Sequence, residues 1–124
     1  MGKSFLLIIL PVVLFFADPR DLIYRIAFDS YDSVGYSYNI NILILKENKE
    51  YNLIEQKYIS KKFARKNIPS RFLKTYGIWK IENDTLKLIN YETKQEMLFI
   101  KKNSDLFYLF NKEEITNSHW VKIK

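Results

Sequence analysis

The sequence predicts a mainly β protein, an antiparallel up-and-down meander of eight short strands with one short helical crossover. Two observations carry this. The first is composition: 16% of the 124 residues are aromatic, with nine Tyr and nine Phe against only three Gly and three Pro. Aromatic and β-branched side chains suit a pleated, half-buried surface. The second is the stretch Tyr76-Gly77-Ile78-Trp79-Lys80-Ile81-Glu82-Asn83-Asp84-Thr85-Leu86-Lys87-Leu88. It reads as two strands joined by a tight turn at Asn83-Asp84, because Asn and Asp tolerate the positive φ that a two-residue hairpin loop needs. Gly77, Trp79 and Ile81 share one face of the first arm, and Leu86 and Leu88 share one face of the second. Gly77 beside the indole marks a close backbone approach while the ring fills a core.

In chain order, Leu22 to Asp29 places Leu22, Tyr24, Ile26 and Phe28 on one face, and Ser30 to Gly35 is a polar turn. Tyr36 to Leu45 is the longest strand, with Tyr38, Ile40, Ile42 and Ile44 on one side. Asn39 and Asn41 face the other way before Leu43 and Leu45 make both faces apolar. Lys46 to Glu50 is a charged loop, and Tyr51 to Ile59 returns. Ser60 is a good N-cap for a short helix over 61–66. Ile68, preceding Pro69, is pushed toward extended backbone, so that helix stops by Asn67. Ser70 caps a second helical turn through Arg71 to Thr75. The hairpin then runs to about Tyr91, and Gln95 to Lys101 and Leu106 to Phe110 follow after short turns. Asn111 to Ser118 reads as a polar loop and His119 to Ile123 as the last strand. Eight strands at regular spacing predict an up-and-down barrel or a strongly curved sandwich.

The length suits one domain. Ahead of it, Lys3 supplies a positive start, Phe5 to Ala17 is an uncharged apolar run broken only by Pro11, and Asp18-Pro19-Arg20-Asp21 ends it. The run is shorter than the roughly 20 residues of a bilayer span and fits the apolar region of a secretory signal. Residues 1–17 are therefore read as a signal peptide or short membrane anchor, and 18–124 as a single domain. An exported protein, periplasmic or membrane-associated, is expected. Cysteine is absent, which removes disulfides, thiolate metal sites and a lipid-accepting thiol after the run.

The hairpin residues Gly77, Trp79, Asp84, Thr85, Leu86 and Leu88, with the meander over about 36–124, resemble lipocalin-like small β-barrel proteins of the bacterial cell envelope. In lipocalins the Gly-x-Trp lies on the first barrel strand, whereas here it lies past the middle of the chain. The resemblance implies an eight-stranded barrel that either encloses an apolar ligand or is filled by side chains. It carries over no ligand and no catalytic residue.

Chemistry-bearing constellations are scarce. His119 is the one histidine, without a cysteine to partner it, and zinc sites take three or four ligands. Asp29 and Asp32 fall in a turn, where Asp commonly bonds its own backbone, and Glu113-Glu114 falls in a solvated loop. Neither a glycine-rich phosphate cradle nor a Gly-x-Ser-x-Gly elbow is present. The chain is read as a non-enzyme without catalytic residues, metal or cofactor.

The formal charge of +6 is local. Residues 56–80 hold Lys57, Lys61, Lys62, Arg65, Lys66, Arg71, Lys74 and Lys80 and no acidic residue. Of these, Lys61, Lys62, Arg65, Lys66, Arg71 and Lys74 are candidates to meet an anionic membrane surface or an acidic protein, with Phe63, Phe72 and Tyr76 interleaved for insertion or stacking. Nucleic acid is the less favoured partner, and a solvated face is the plain reading of the same lysines. Tyr38, Trp79, Tyr108 and Phe110 are candidates to line an apolar pocket, or simply core. Two function classes follow. One is a non-catalytic exported binding module for an apolar or amphipathic anionic small molecule. The other is a packed β domain acting as an adaptor or inhibitor through its basic crossover.

Overall fold

The computed structural model describes residues 20–124, and the run read as a leader, residues 1–17, lies outside them. The described chain is a closed antiparallel barrel in which each strand pairs with its sequence neighbours and the last with the first. The strands are β1 (Leu22–Asp32), β2 (Gly35–Leu45), β3 (Glu50–Tyr58), β4 (Arg71–Glu82), β5 (Thr85–Asn90), β6 (Glu96–Lys102), β7 (Asp105–Phe110) and β8 (Glu113–Lys122), with helix α1 (Lys61–Arg65) between β3 and β4. Closure, rather than a sandwich, gives each strand a paired neighbour on both sides over part of its length. The seam is short: Tyr24 faces Lys122 and Arg25 faces Val121. Backbone bonds from Ile23 N to Lys124 O (2.9 Å) and Ile123 N to Ile23 O (2.8 Å) extend it.

The turns use the residues that the geometry demands. Asn83 and Asn103 sit at φ 58°, and Asn111 and Lys112 both have positive φ (52° and 65°), as a mirror-image two-residue turn requires. Ser60 caps α1, its hydroxyl accepting from Phe63 N.

Two expected elements are corrected. Arg71 to Thr75 is not a second helical turn but the start of β4, paired in register from Lys57 opposite Arg71 to Leu53 opposite Thr75. Partners on β3, and Ser70 N bonded to Lys57 O at 2.8 Å, override the local capping signal of Ser70. Asn111 to Ser118 is not a loop but a tight turn followed by most of β8. A register irregularity between Phe107 and Leu109 breaks the alternation there. The Ser118 hydroxyl satisfies it, accepting from Tyr108 N at 2.7 Å and donating to Ile115 O at 2.6 Å.

Every strand contributes to one interior cluster, including Tyr24, Leu43, Leu53, Trp79, Leu88, Phe99, Leu106 and Trp120. A second cluster lies on the outward side of β1–β3: Ile23, Ile40, Ile42, Ile44 and Tyr58, with Ala64 of α1 packed on it. Both faces of β2 are therefore buried near its end. The barrel end bearing the β2–β3, β4–β5 and β6–β7 turns is plugged by Trp79. Its indole N–H donates to Lys46 O at 2.8 Å, and the Lys49 ammonium lies 4.1 Å from the ring centroid. Gly77 allows β4 and β5 to meet there, since a Cβ would sit 2.0 Å from Ile89 O.

Candidate functional site

At the opposite end the inward-facing residues change character along three neighbouring strands. Moving away from the plug, β2 presents Leu45, Leu43, Asn41 and Asn39, β3 presents Tyr51, Leu53, Glu55 and Lys57, and β4 presents Trp79, Gly77, Thr75, Leu73 and Arg71. The registers turn these columns into rows: Asn41 faces Glu55, Asn39 faces Lys57, and Lys57 faces Arg71. The plugged half of the barrel is thus apolar and the mouth half polar on this wall.

Two adjoining cavities open in the mouth. One, about 420 Å³, is walled chiefly by Ile26, Phe28, Met97, Phe99, Tyr108 and Trp120. The other, about 230 Å³, is walled chiefly by Asn39, Asn41, Glu55, Lys57 and Arg71. Phe28 and Asn41 line both. An apolar chamber and a charged one therefore share a partition.

The electrostatics of the charged chamber are uneven. Lys57 and Arg71 stand directly opposite on the inner face of adjacent strands, an arrangement in which like charges repel. Lys57 is drawn toward Asp32, at 3.4 Å. The Val34 N–H, then Lys57, hold the Asp32 carboxyl below its ordinary value, so that it is anionic at neutral pH. Among the described residues Arg71 and Glu55 make no ion pair or side-chain hydrogen bond. Asn39 is already engaged, its amide donating to Phe28 O at 3.4 Å.

The aromatic candidates are not brought together. Tyr108 lines the larger cavity, and Phe110 stands exposed at the rim of the same strand. Trp79 is inside the barrel but at the plug, and lines neither cavity. Tyr38 faces outward, packed on the second cluster with the Lys61 ammonium 5.7 Å from its ring centroid. The four residues do not line one cavity, and Tyr38 is turned outward because the odd-numbered residues of β2 are the ones that face in.

The basic candidates also divide. Lys61, Lys62, Arg65 and Lys66 are exposed on α1 and its C-cap. Lys74 points outward on β4, 5.5 Å from the Tyr76 ring centroid, whereas Arg71 lines the mouth. Sequence reasoning passed over Phe28, Asn41, Glu55 and Met97 as site residues and counted Lys57 only as part of the basic segment. The available signal was polar side chains two apart, Asn39 and Asn41 or Glu55 and Lys57, on strands otherwise rich in apolar residues.

Several polar groups singled out in the sequence are engaged locally, whereas the buried Gln56 Oε1 has no hydrogen-bond partner among the described residues. Asp32 accepts from Val34 N (2.8 Å) and Gly35 N (3.1 Å), and Asp29 accepts from the Tyr36 hydroxyl at 2.6 Å. Glu114 pairs with Lys102. His119 Nε2 lies 2.7 Å from Asp105 Oδ2, its ring stacked on Phe107 at 4.7 Å. Among the described residues no group of three or more His, Asp or Glu is placed to hold a metal ion.

No protein-family model matches the sequence. A search of curated proteins also finds no match. The structure is similar to that of the Cpx pathway activator NlpE from Escherichia coli, with a TM-score of 0.59 and 17% identity. The similarity covers 76% of this chain and 45% of that one, so this chain matches less than half of NlpE. At that identity the likeness is one of fold: an eight-stranded antiparallel barrel.

Proposed function

We propose that this protein is a non-catalytic, exported binding module whose barrel mouth takes a small amphipathic anion. The observation that carries this is the placement of Lys57 opposite Arg71 beside an apolar chamber of about 420 Å³. An anionic head group between the two cations relieves their repulsion and gives Arg71 a charge-assisted hydrogen-bond partner. The apolar tail then passes Phe28 and lies against Met97, Phe99 and Tyr108. Asn41, which lines both cavities, fixes where polar gives way to apolar. Export is proposed from the apolar run after Lys3, and cell fractionation with a mass of the mature chain tests it.

Binding is tested by titrating the full chain with laurate and, in parallel, with its uncharged glyceryl ester. Laurate should bind more tightly than the ester. Lys57→Gln and Arg71→Gln should each weaken laurate by about tenfold or more, as loss of a charge-assisted bond does, and bring the two affinities together. Met97→Trp should fill the chamber and weaken both. Equal affinities in the native chain, or variants that bind laurate as well as it does, would reject this reading.

A further inference from the structure

The outer wall beside the mouth carries a surface that the mouth does not use. Alternation along β4 turns Phe72, Lys74, Tyr76 and Ile78 outward, and the three apolar members are 53%, 48% and 40% exposed. β4 pairs with β3 over 71–78 and with β5 over 77–82, and what it turns outward here is a stripe of side chains. Helix α1 rests through Ala64 on the outward side of β2 and β3, so it lies beside this stripe at the mouth end. Its exposed Lys62 and Arg65, and Lys66 at its C-cap, face solvent. No acidic residue occurs between Gln56 and Lys80.

We infer that this face docks on an anionic lipid bilayer. Exposed aromatic and branched side chains interleaved with lysines match an interface whose acyl boundary takes the rings while the ammonium groups reach the head groups. Lys62, Arg65, Lys66 and Lys74 of this face are exposed and make no ion pair among the described residues, a set complementary to a negative leaflet, where each basic residue contributes about fivefold to partitioning. Acidic proteins present discrete carboxylates, for which this face provides no pocket and no bidentate arginine pair. Docking in this way sets the barrel mouth at the membrane surface, whatever the mouth contains.

The test is co-sedimentation of the full chain with vesicles of phosphatidylcholine alone or mixed with phosphatidylglycerol, at low and high salt. The native chain should bind the anionic vesicles more tightly, and added salt should remove the difference. The triple variant K62Q/R65Q/K66Q should lose on the order of a hundredfold of that preference. Phe72→Ser with Tyr76→Ser should weaken binding at low salt as well. The residues 5–17 run is common to every variant, so its own affinity for lipid cancels. Melting curves matching the native chain confirm that each variant is folded, as its exposed positions allow. Equal binding to neutral and anionic vesicles, or variants that bind as the native chain does, would overturn the inference. So would salt-sensitive capture by polyglutamate without vesicle binding.

Discussion

The indole N–H of Trp79 donates to the backbone carbonyl of Lys46 at 2.8 Å, tying β4 to the β2–β3 loop across 33 residues of sequence. The backbone N–H of Trp79 reaches Lys49 O at the same distance. One side chain thus stoppers the barrel and fixes the β2–β3 loop against β4. Trp79→Phe keeps most of the apolar volume but removes the indole bond, leaving the Lys46 carbonyl the Lys49 N–H at 3.0 Å, and should cost about 0.5–1.5 kcal/mol. Trp79→Ala should cost about 3–5 kcal/mol. Urea unfolding of the two variants measures the difference.

At Gly77, β4 has no room for a side chain against Ile89 of β5 and Tyr51 of β3. An alanine Cβ there would meet Ile89 O at 2.0 Å and Tyr51 Cε1 at 2.6 Å. A carbonyl held in a ladder cannot rotate away, so Gly77→Ala should destabilise by about 3 kcal/mol or more. Gly35→Ala meets no atom within 4 Å but must hold φ at +123°, costing about 1–3 kcal/mol. Comparing the two by thermal melting separates steric from conformational cost.

The cation pair in the mouth sets stability against binding. Because Lys57 and Arg71 are cross-strand neighbours of like charge, Arg71→Gln should leave the free barrel equally stable or more stable, by up to about 1 kcal/mol. The same substitution weakens anion binding. A stabilised variant with lower affinity for laurate is the expected pairing, and added salt should shrink the stability gain.

Asp105 links stability to acid pH. Its carboxylate accepts from Lys122 N at 3.0 Å and meets His119 at 2.7 Å. The Lys122 N–H, then His119, hold its pKa below the ordinary value, which is about 3.9 in an unfolded chain. A depressed folded pKa gives a contribution fully present above the unfolded value and lost as pH falls through the folded one. Asp105→Asn should therefore be less stable than the native chain at neutral pH. The gap should close progressively below about pH 4, as followed by circular dichroism.

At alkaline pH the reporter is Tyr58, fully buried in the outer cluster. Burial, partly offset by Arg25, pushes its hydroxyl up to about 12. The contribution of the protonated phenol is complete below the unfolded value of about 10 and disappears as pH rises through the folded value. Ultraviolet titration should show a late-ionising tyrosine that is absent in Tyr58→Phe. Tyr36, held up to about 12 mainly by its hydrogen bond to Asp29, should titrate late as well and persist in that variant.

Alternation, turn residues and composition were enough to read an antiparallel meander of eight strands. They also placed the Asn83 turn, the capped helix and the close approach at Gly77, because these depend on local geometry that a few neighbouring residues impose. The barrel mouth was another matter. Asn41, Glu55, Lys57 and Arg71 are distant in sequence and become one wall only through strand register, which long-range ladder bonds decide. The same pairing extended β4 over a segment with a helical signal and hid most of β8 behind a bulge. It also turned Tyr38 away from the site its chemistry had suggested. In a strand the side a residue faces follows its parity, and parity is set by which partner atoms the backbone finally meets.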